Sequence, residues 1–513
     1  MLITSVRTNR PAHSSSSENR PEPKVRRAAV LPTTAMAALA ALGALAVFLA
    51  HPYSGEAQQP TATATVAATT GSEHRFPSDS AVLAILKERV EKAGVAGLVV
   101  GMLEPDGSTR IVAWGDSGPG QAPMDGQSVF EIGSITKVFT ATVLADMALK
   151  GEVSLDDPVQ RFLPPGVTIP TRNGKEITLG MLSEQNSGLP RLPTNMAPAD
   201  MANPYADYTD QRLYDFLSGY ELTRDPGEEF EYSNLGVGLL GHALALHAGT
   251  SFETMVKERI LDPLGMSHTA VTFTPWMREH LALGHNGQGA VVSNWDAPAL
   301  AGAGALRSTA EDMLTFLDAN LHPERGLLQE AMAFAQAGRA ETGNPGRMIG
   351  LNWMNLHAGA DTVVWHTGGT GGYVSFAGII PSKKVGVVVL SNTAGPAADA
   401  IGQHLLRPEL PLAPIPEPRK TFTAIELSAE LLAQYVGTYE LRPGFEIVMT
   451  LENGQLFAQA TNQVKTSLRP YTEVDFFVLE LEAQFTFQKG ADGTVTGFVL
   501  HQGGQDFPAE KIG

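Results

Sequence analysis

One serine in the chain, Ser134, is followed three residues later by a lysine, Lys137, and no other serine has this spacing. Apolar residues recur at helical spacing after Gly133, which predicts a helix that begins near Ser134 and ends near Gly151. Residues three apart share a helix face, so the hydroxyl and the amine can meet. A buried lysine loses proton affinity and can act as a base, and a helix N-terminus favours the negative charge that develops when serine attacks a carbonyl. The spacing indicates a nucleophile with its base, although such a string also arises by chance.

A second candidate is Tyr232, which among the ten tyrosines is the one with asparagine two positions later, Asn234. A tyrosine oxygen beside the serine can relay its proton. An asparagine amide can bind a substrate amide or carbonyl. A structural interpretation also fits, in which Asn234 caps a helix predicted over Leu235–His247.

A third candidate is His366, in the string His366-Thr367-Gly368. A histidine followed by x-Gly occurs five times in the chain, so the bare pattern is weak. His366 differs by its context, since it lies in a strand-like segment followed by Gly369 and further glycines that let a backbone approach a ligand closely. The glycine run does not indicate a phosphate loop, because neither Gly-Lys-Ser/Thr nor a helix follows it.

These three motifs, in this order, resemble the serine β-lactamase and penicillin-binding superfamily, in its class C β-lactamase-like branch. In that branch the motifs are Ser-x-x-Lys, Tyr-x-Asn, and Lys- or His-Thr-Gly on a strand. The resemblance covers about residues 78–405. The C-terminal segment, with Tyr435-Val436-Gly437-Thr438-Tyr439, is similar to lipocalin-like domains that follow some of these hydrolases.

The resemblance implies an acyl-enzyme mechanism that needs neither a metal nor an organic cofactor. Ser134 attacks the acyl carbon, and Lys137 and Tyr232 share the general-base work and later protonate the leaving amine. The backbone N–H groups of Ser134 and Gly369 form the oxyanion hole. Water then releases the acyl-enzyme.

The resemblance also implies the substrate-binding residues. Asn234 orients the substrate amide, while His366, Thr367 and Gly368 line the opposite wall, where His366 could face a substrate carboxylate. His-Thr-Gly is more like the D-Ala-D-Ala carboxypeptidases and D-aminopeptidases of the branch than its β-lactamases, which usually carry lysine, and this difference argues against efficient β-lactam hydrolysis. Gln185 stands where relatives often show histidine, and a structural substitution is one interpretation of it.

Composition excludes several other functions. The formal net charge of −18 argues against nucleic acid as a partner, because phosphate binding needs a basic surface. The chain has no cysteine, which excludes disulfides, thiolate metal sites and a cysteine nucleophile, and its histidines lack the spacing of zinc ligands. The resemblance implies a small-molecule or peptide substrate as the partner.

The N-terminal residues predict export. Residues 1–57 combine a polar start, basic residues and the apolar run 35–50, as in a secretory signal with cleavage after Ala57. The alternative is an uncleaved anchor, in which residues 35–50 tether the protein to a membrane. Residues 58–77 are a low-complexity linker. The expected location is periplasmic or extracellular.

The remaining chain predicts two domains. In residues 78–405, strand-like segments lie at both ends of a helix-rich block, which predicts an α+β fold: an antiparallel sheet flanked by helices, with an inserted helical subdomain. Residues 406–423 are a proline-rich linker. Residues 424–513 alternate in polarity around turns such as Asn453-Gly454, which predicts a small all-β barrel.

Three functions remain compatible with the sequence. The first is a secreted serine hydrolase that cleaves amide bonds of D-amino-acid peptides or β-lactams. The second is an esterase or amidase of the same fold with no cell-wall role. The third is a penicillin-binding sensor that acylates with little turnover. Ser134, Lys137 and Tyr232 favour chemistry in each case, and the sequence does not choose the substrate.

Overall fold

Strands from both ends of the α+β domain meet in one antiparallel sheet. The computed structural model describes residues 76–415, 422–442, 445–461, 465–478, 483–502 and 505–513, so the predicted signal and nearly all of the linker 58–77 lie outside the described residues. Eight strands follow the order β2-β1-β10-β9-β8-β7-β6-β5, and β3 pairs with β4 beside them. The strands are β1 (Gly97–Leu103), β2 (Thr109–Gly115), β3 (Phe130–Glu131), β4 (Arg307–Ser308), β5 (Ala340–Glu341), β6 (Arg347–Ile349), β7 (Met354–Ala358), β8 (Asp361–Gly369), β9 (Val374–Ile380) and β10 (Val385–Ser391).

Helices cover both faces of this sheet. They are α1 (Asp79–Ala93), α2 (Thr136–Leu149), α3 (Leu179–Ser183), α4 (Asp210–Gly219), α5 (Asn234–Ala248), α6 (Phe252–Val256), α7 (Asp262–Leu264), α8 (Pro275–Glu279), α9 (Ala301–Gly304), α10 (Ala310–Asn320), α11 (Leu327–Gln336) and α12 (Ala397–Leu406). Short 3₁₀ turns span Gly133–Ile135, Val159–Phe162, Pro323–Arg325 and Pro381–Lys383, and a π-helical turn, Lys257–Leu261, joins α6 to α7.

Strand β1 shows why the sheet needs cover on both sides. All seven of its residues are buried, without the alternation of a strand that has one wet face. Val99 joins the core that contains Phe139 of α2, whereas Val100 joins the core that contains Leu86 of α1 and Ile401 of α12. The continuous apolar run in the sequence therefore reflects burial between two helical layers.

Helix α2, which follows the nucleophile motif, lies at the centre of the α+β domain. Every residue from Thr136 to Met147 is buried, including the charged residues Lys137 and Asp146, so other elements enclose the helix on all sides. Within the described part of the chain, no single helix is long and apolar enough to cross a membrane, and one pair bent by 80°, Asn234–Ala248 with Phe252–Leu264, passes by length and composition only.

The C-terminal residues form a closed eight-stranded barrel. A short helix, α13 (Ala429–Ala433), precedes strands β11 (Gly437–Arg442), β12 (Phe445–Glu452), β13 (Gln455–Ala460), β14 (Thr466–Pro470), β15 (Asp475–Phe477), β16 (Ala483–Lys489), β17 (Val495–Gln502) and β18 (Gln505–Lys511), and β18 pairs back with β11. Aromatic rings pack inside it: the Phe487 ring lies 4.5 Å from Tyr435 and 5.3 Å from Phe476, centroid to centroid. Side chains thus fill the barrel interior, as in other small barrels.

The predicted fold class is confirmed in both domains. The antiparallel sheet with flanking helices and the C-terminal barrel are both present. Alternation of polarity predicts strands over residues 445–451, 456–460, 476–481, 484–489 and 496–500, which overlap β12, β13, β15, β16 and β17, and it does not predict β11, β14 or β18. Segments such as Thr466–Pro470 are short and carry little periodicity of their own, so pairing with their neighbours specifies them.

Candidate active site

The serine of the first motif lies on a tight turn between β3 and α2. Gly133 has a left-handed backbone with φ +49°, and a Cβ placed there would lie 2.6 Å from the backbone nitrogen of Gly369. A Cβ on Gly368 would likewise overlap the carbonyl oxygen of Ile132. The two glycines therefore let the Ser134 turn pack directly against the end of β8, which brings together the two N–H groups expected to form an oxyanion hole. Ser134 itself is half-buried.

Lys137 lies one helical turn beyond the serine and is fully buried. Its Nζ contacts three acceptors: Ser134 Oγ at 3.0 Å, Asn234 Oδ1 at 2.8 Å and the Ala303 carbonyl at 2.6 Å. Burial lowers the pKa of Lys137 well below its ordinary value, and the charge of Arg191 lowers it further. When the amine is neutral, two N–H groups can bind the amide and the carbonyl, so the lone pair faces Ser134 Oγ. This geometry suits a base that removes the serine proton.

The Ala303 carbonyl is a contact that reasoning from motifs missed. It belongs to α9, a single turn of alternating alanine and glycine. Gly302 lies against Gly241 of α5 so closely that a Cβ on either would be 2.9 Å from the other's Cα. Thr140 of α2 also donates to the Gly302 carbonyl at 2.8 Å. The small residues thus let α9 approach the lysine. The string Ala-Gly-Ala-Gly is the sequence feature that could have indicated this close packing.

Tyr232 lies beside the same two side chains. Lys137 Nζ lies 5.0 Å from the centroid of the Tyr232 ring. Burial raises the pKa of Tyr232 to about 12, although the nearby Ser134 side chain and the Arg191 charge act in the opposite direction. The phenol therefore keeps its proton near neutral pH. This favours Lys137 as the base and Tyr232 as the group that passes a proton onward.

Asn234 points into the site and does not cap its helix. Helix α5 begins at Asn234 itself, and the preceding residue, Ser233, is the N-cap, with Oγ accepting from the Gly236 N–H at 2.8 Å. The interpretation of Asn234 as a capping residue is therefore wrong. Its Oδ1 instead accepts from Lys137, which leaves the amide N–H groups able to meet a substrate carbonyl.

Gln185 holds the turn that carries Tyr232. Its backbone carbonyl accepts from the Glu231 N–H at 2.7 Å, and its side-chain Oε1 accepts from the Ser233 N–H at 2.6 Å. Tyr232 is thus bracketed by two hydrogen bonds to one residue. The amide Nε2 of Gln185 donates to Asn352 Oδ1 at 2.9 Å, and both side chains are buried. The glutamine therefore has a structural role next to the site.

The third motif forms the wall opposite Tyr232. His366 is 4% exposed on β8, and its ring centroid lies 6.2 Å from that of Tyr232. Its Nδ1–H donates to the Thr367 carbonyl at 2.5 Å. Burial and the nearby Lys137 lower the pKa of His366 to about 3. The ring is therefore neutral near pH 7, with Nε2 as an acceptor, and does not supply a positive charge to a substrate carboxylate.

The structure brings the three motifs together. Thr367 is half-buried and Gly368 is buried on the strand beside the Ser134 turn, while Tyr232 and Asn234 lie at the start of α5. Among the described residues, no group of three or more His, Asp or Glu side chains is placed to hold a metal ion. The arrangement can activate a serine, relay its proton and bind an oxyanion, which are the requirements of acyl transfer.

Comparisons with known proteins agree with this chemistry. Residues 82–409 match the family model described as Beta-lactamase, and residues 423–511 match a domain of unknown function, DUF3471. The D-alanyl-D-alanine-carboxypeptidase/endopeptidase AmpH of Escherichia coli (strain K12) is 29% identical over 316 residues, which cover 58% of this chain and 80% of AmpH. A Beta-lactamase of Pseudomonas fluorescens is 24% identical over 344 residues, which cover 61% of this chain and 92% of that protein.

A solved structure has the same fold. It is the Beta-Lactamase/D-Alanine Carboxypeptidase from Pseudomonas syringae, which matches with a TM-score of 0.57 at 21% identity and covers 64% of this chain and 98% of its own. The family match spans more than half of the chain and contains all three motifs. The chain therefore belongs to the Beta-lactamase family and is a serine hydrolase.

Proposed function

We propose that this protein is a secreted peptidase that cleaves amide bonds of D-amino-acid peptides through an acyl-enzyme on Ser134. The observation that carries the proposal is the contact of a buried, deprotonation-prone Lys137 with the Ser134 hydroxyl at 3.0 Å. Two features support a peptide substrate over a β-lactam. The third motif is His-Thr-Gly, and AmpH, one of the relatives, is named as a D-alanyl-D-alanine carboxypeptidase.

The contacts support the following sequence of steps. Ser134 Oγ attacks the carbonyl carbon while its proton passes to Lys137. The oxyanion lies between the N–H groups of Ser134 and Gly369, where losing one such donor typically costs ~10²–10³ in rate. The C–N bond breaks as the leaving amine takes the proton through the Tyr232 hydroxyl. A water molecule then attacks the ester, gives up a proton to Lys137, and the proton returns to Ser134 Oγ.

The first test measures the intact mass of the protein after incubation with a penicillin, with Ser134→Ala as the control. A serine-dependent adduct that persists supports a penicillin-binding peptidase or sensor. A hydrolysed drug without a lasting adduct makes the protein a β-lactamase, which a match to the Pseudomonas fluorescens Beta-lactamase also allows. Release of D-alanine from an acylated D-alanyl-D-alanine peptide separates the peptidase from the sensor.

The Ser134→Ala variant decides whether the site is the assigned one. We expect it to lose hydrolysis of every substrate, because the variant has no nucleophile at this position. Full activity in this variant would refute the assignment. Hydrolysis of simple esters alone, without D-amino-acid peptides or penicillins, would make the protein an esterase of the same fold.

Export is the second part of the proposal and rests on residues 1–57. An apolar run after basic residues is typical of a secretory signal. N-terminal sequencing of the protein isolated from its native cells tests this, and a mature chain that begins near Gln58 is the expected result. A chain that keeps its first 57 residues and sediments with membranes would instead indicate a tether through residues 35–50.

A further inference from the structure

A buried ion pair lies directly before the turn that carries the nucleophile. Strand β3 pairs with β4 so that Glu131 faces Arg307 across the two strands, and Glu131 precedes Ser134 by three residues. The two residues are 3% and 2% exposed, and Arg307 Nη2 lies 3.5 Å from Glu131 Oε1. Because the burial of charges is costly, the contacts of this pair are expected to fix the structure around it.

The ion pair binds both backbone groups of Trp295. Glu131 Oε1 accepts from the Trp295 N–H at 2.8 Å, and Arg307 Nη2 donates to the Trp295 carbonyl at 2.6 Å. Arg307 Nη2 also donates to Asp296 Oδ1 at 3.1 Å. The indole packs against the turn that follows β8, since a Cβ placed on Gly371 would lie 2.8 Å from Trp295 Nε1. The pair therefore holds a side chain that supports this turn.

The carboxylate of Glu131 also reaches the same turn directly, at Thr370. The nearby Thr370 side chain favours the charged form of Glu131 and so acts to lower its pKa, although burial raises that pKa overall. Glu131 Oε2 and Thr370 Oγ1 are both buried, and among the described residues neither has a hydrogen-bond partner elsewhere. The two atoms are thus left to each other. Since Thr370 directly follows Gly369, the carboxylate links the Ser134 segment to the residue beside Gly369.

The two segments that Glu131 links carry the two N–H groups expected in the oxyanion hole. Gly133 lies so close to Gly369 that a Cβ on it would be 2.6 Å from the Gly369 nitrogen. This packing limits how near the segments can come, but it does not stop one from sliding past the other. An oxyanion hole works only when both donors lie within hydrogen-bond distance of the developing charge. A polar contact beside each donor supplies the missing constraint.

Other roles for Glu131 fit the structure less well. Its burial keeps the carboxylate away from a substrate, so it is not placed to act as a general base. A negative charge beside an oxyanion would oppose the reaction, and the positive charge of Arg307 compensates for it. The contacts therefore favour a role in holding the site.

We propose that Glu131, paired with Arg307, is a positioning residue that fixes the spacing of the Ser134 and Gly369 N–H donors by holding Thr370 and Trp295 in place. Glu131 acts through these neighbours and does not touch the substrate. The inference concerns acyl transfer at Ser134 and does not depend on which substrate the protein cleaves.

The test uses phenylboronic acid, whose boron bonds to Ser134 Oγ while the serine proton passes to Lys137. The adduct is tetrahedral, and one oxygen on boron occupies the place of the oxyanion. Its affinity therefore reports on the oxyanion hole without any need for turnover. The dissociation constant is measured together with kcat and KM for a hydrolysed substrate and with thermal unfolding.

The variants are Glu131→Gln, which keeps the shape and removes the charge, and Thr370→Val, which removes one hydroxyl. The matched control is Asp146→Asn, because Asp146 is an equally buried acid whose partner on the far side of α2 is Arg259, at 2.8 Å. We expect Glu131→Gln to weaken phenylboronic acid binding and to lower kcat on the order of 10- to 100-fold, with KM little changed. Asp146→Asn should lower the melting temperature and leave binding and kcat unchanged.

A double variant tests the route through Thr370. Because the two side chains act as one contact, Glu131→Gln with Thr370→Val should bind phenylboronic acid no more weakly than Glu131→Gln alone. Additive losses would overturn the inference that Glu131 acts through Thr370. If Glu131→Gln does not fold, Thr370→Val decides, since it should weaken binding and an unchanged affinity would overturn the inference.

Two results with Glu131→Gln would also overturn the inference. A lower melting temperature with unchanged phenylboronic acid affinity would make Glu131 only a support of the fold. Tighter binding or a higher kcat would show that its charge opposes the oxyanion and that its contacts do not position the donors.

The outcomes are separable from those of the proposed function. A wild-type protein that binds phenylboronic acid through Ser134 but cleaves no D-amino-acid peptide would overturn the proposed function, and the variants would still decide this inference. A wild-type protein that neither binds phenylboronic acid nor hydrolyses any substrate would overturn both, because the oxyanion hole itself would then be wrongly assigned.

Discussion

Replacing Gln185 by methionine tests how the turn around Tyr232 is held. Methionine has nearly the shape of glutamine but neither accepts nor donates strong hydrogen bonds. The variant keeps the backbone carbonyl that accepts from Glu231 N–H and loses the side-chain bonds to Ser233 N–H and Asn352 Oδ1. The perturbation is therefore limited to two hydrogen bonds beside the site.

The burial of the two partners sets the loss of stability expected for Gln185→Met. Both partners of the lost bonds are buried, so each is left unsatisfied at a cost of about 1–3 kcal/mol. The free energy of unfolding should fall by roughly 2–6 kcal/mol, and the melting temperature by on the order of 5 °C or more. Release of one side of the Tyr232 turn should also slow acylation of Ser134 by on the order of 10- to 100-fold, because small displacements of catalytic groups are costly.

The assay combines thermal unfolding with the rate of acylation by a penicillin or the rate of peptide hydrolysis. The matched control is Gln336→Met, since Gln336 is also buried but donates to Asn320 O at 2.9 Å and Asn320 Oδ1 at 3.0 Å instead of bracketing the turn. The control should lower the melting temperature with little effect on the rate. Both readouts should fall in Gln185→Met.

A double-mutant cycle tests whether the hydrogen bond between Gln185 and Asn352 contributes to stability. Asn352→Leu combined with Gln185→Met removes both members of one hydrogen bond, so the double variant should cost less than the sum of the single variants by about 1 kcal/mol or more. Additive costs would show that the Gln185–Asn352 bond does not couple the two residues. A Gln185→Met variant with wild-type stability and full rate would refute the reasoning about the turn.

Further predictions concern pH, the serine turn and the barrel. Only neutral Lys137 can take a proton, so kcat/KM should rise as pH rises through its lowered pKa. Arg191→Gln removes a charge that lowers this pKa, so the rising part of the pH profile should move to higher pH. An unmoved profile would contradict the electrostatic effect of Arg191 on Lys137. Gly133→Ala should lower kcat/KM at least ~100-fold, because its Cβ would displace a donor of the oxyanion hole, and a near-normal rate would contradict that geometry. Tyr439→Phe removes the hydroxyl that donates to the buried carbonyl of Tyr435, so the free energy of unfolding should fall by about 1–3 kcal/mol. Thermal unfolding measures this loss, and hydrolysis should persist.

Local patterns predicted much of the fold. The helix after Ser134 was predicted from apolar periodicity, and strand-like segments were predicted at both ends of the helix-rich block, where β1, β2, β8, β9 and β10 lie. The end of α2 at Leu149, two residues before the left-handed Gly151, agrees with the predicted end near Gly151. The predicted N-cap of α5 was wrong, because two neighbouring residues can cap a helix and the local sequence does not choose between them. Ser233 caps α5, while Asn234 Oδ1 accepts a hydrogen bond from Lys137.

The sequence by itself determined which side chains could perform acyl transfer, because the serine, lysine, tyrosine and asparagine carry recognisable spacing within their own segments. Only the tertiary structure decided how those groups behave. The lowered pKa of Lys137 and the neutral His366 come from burial among residues distant in the chain. Contacts made by backbone atoms, such as the Ala303 carbonyl on Lys137, have no side-chain signature. The protonation state of a group and its hydrogen-bond partners depend on its three-dimensional surroundings, which no local pattern of residues encodes.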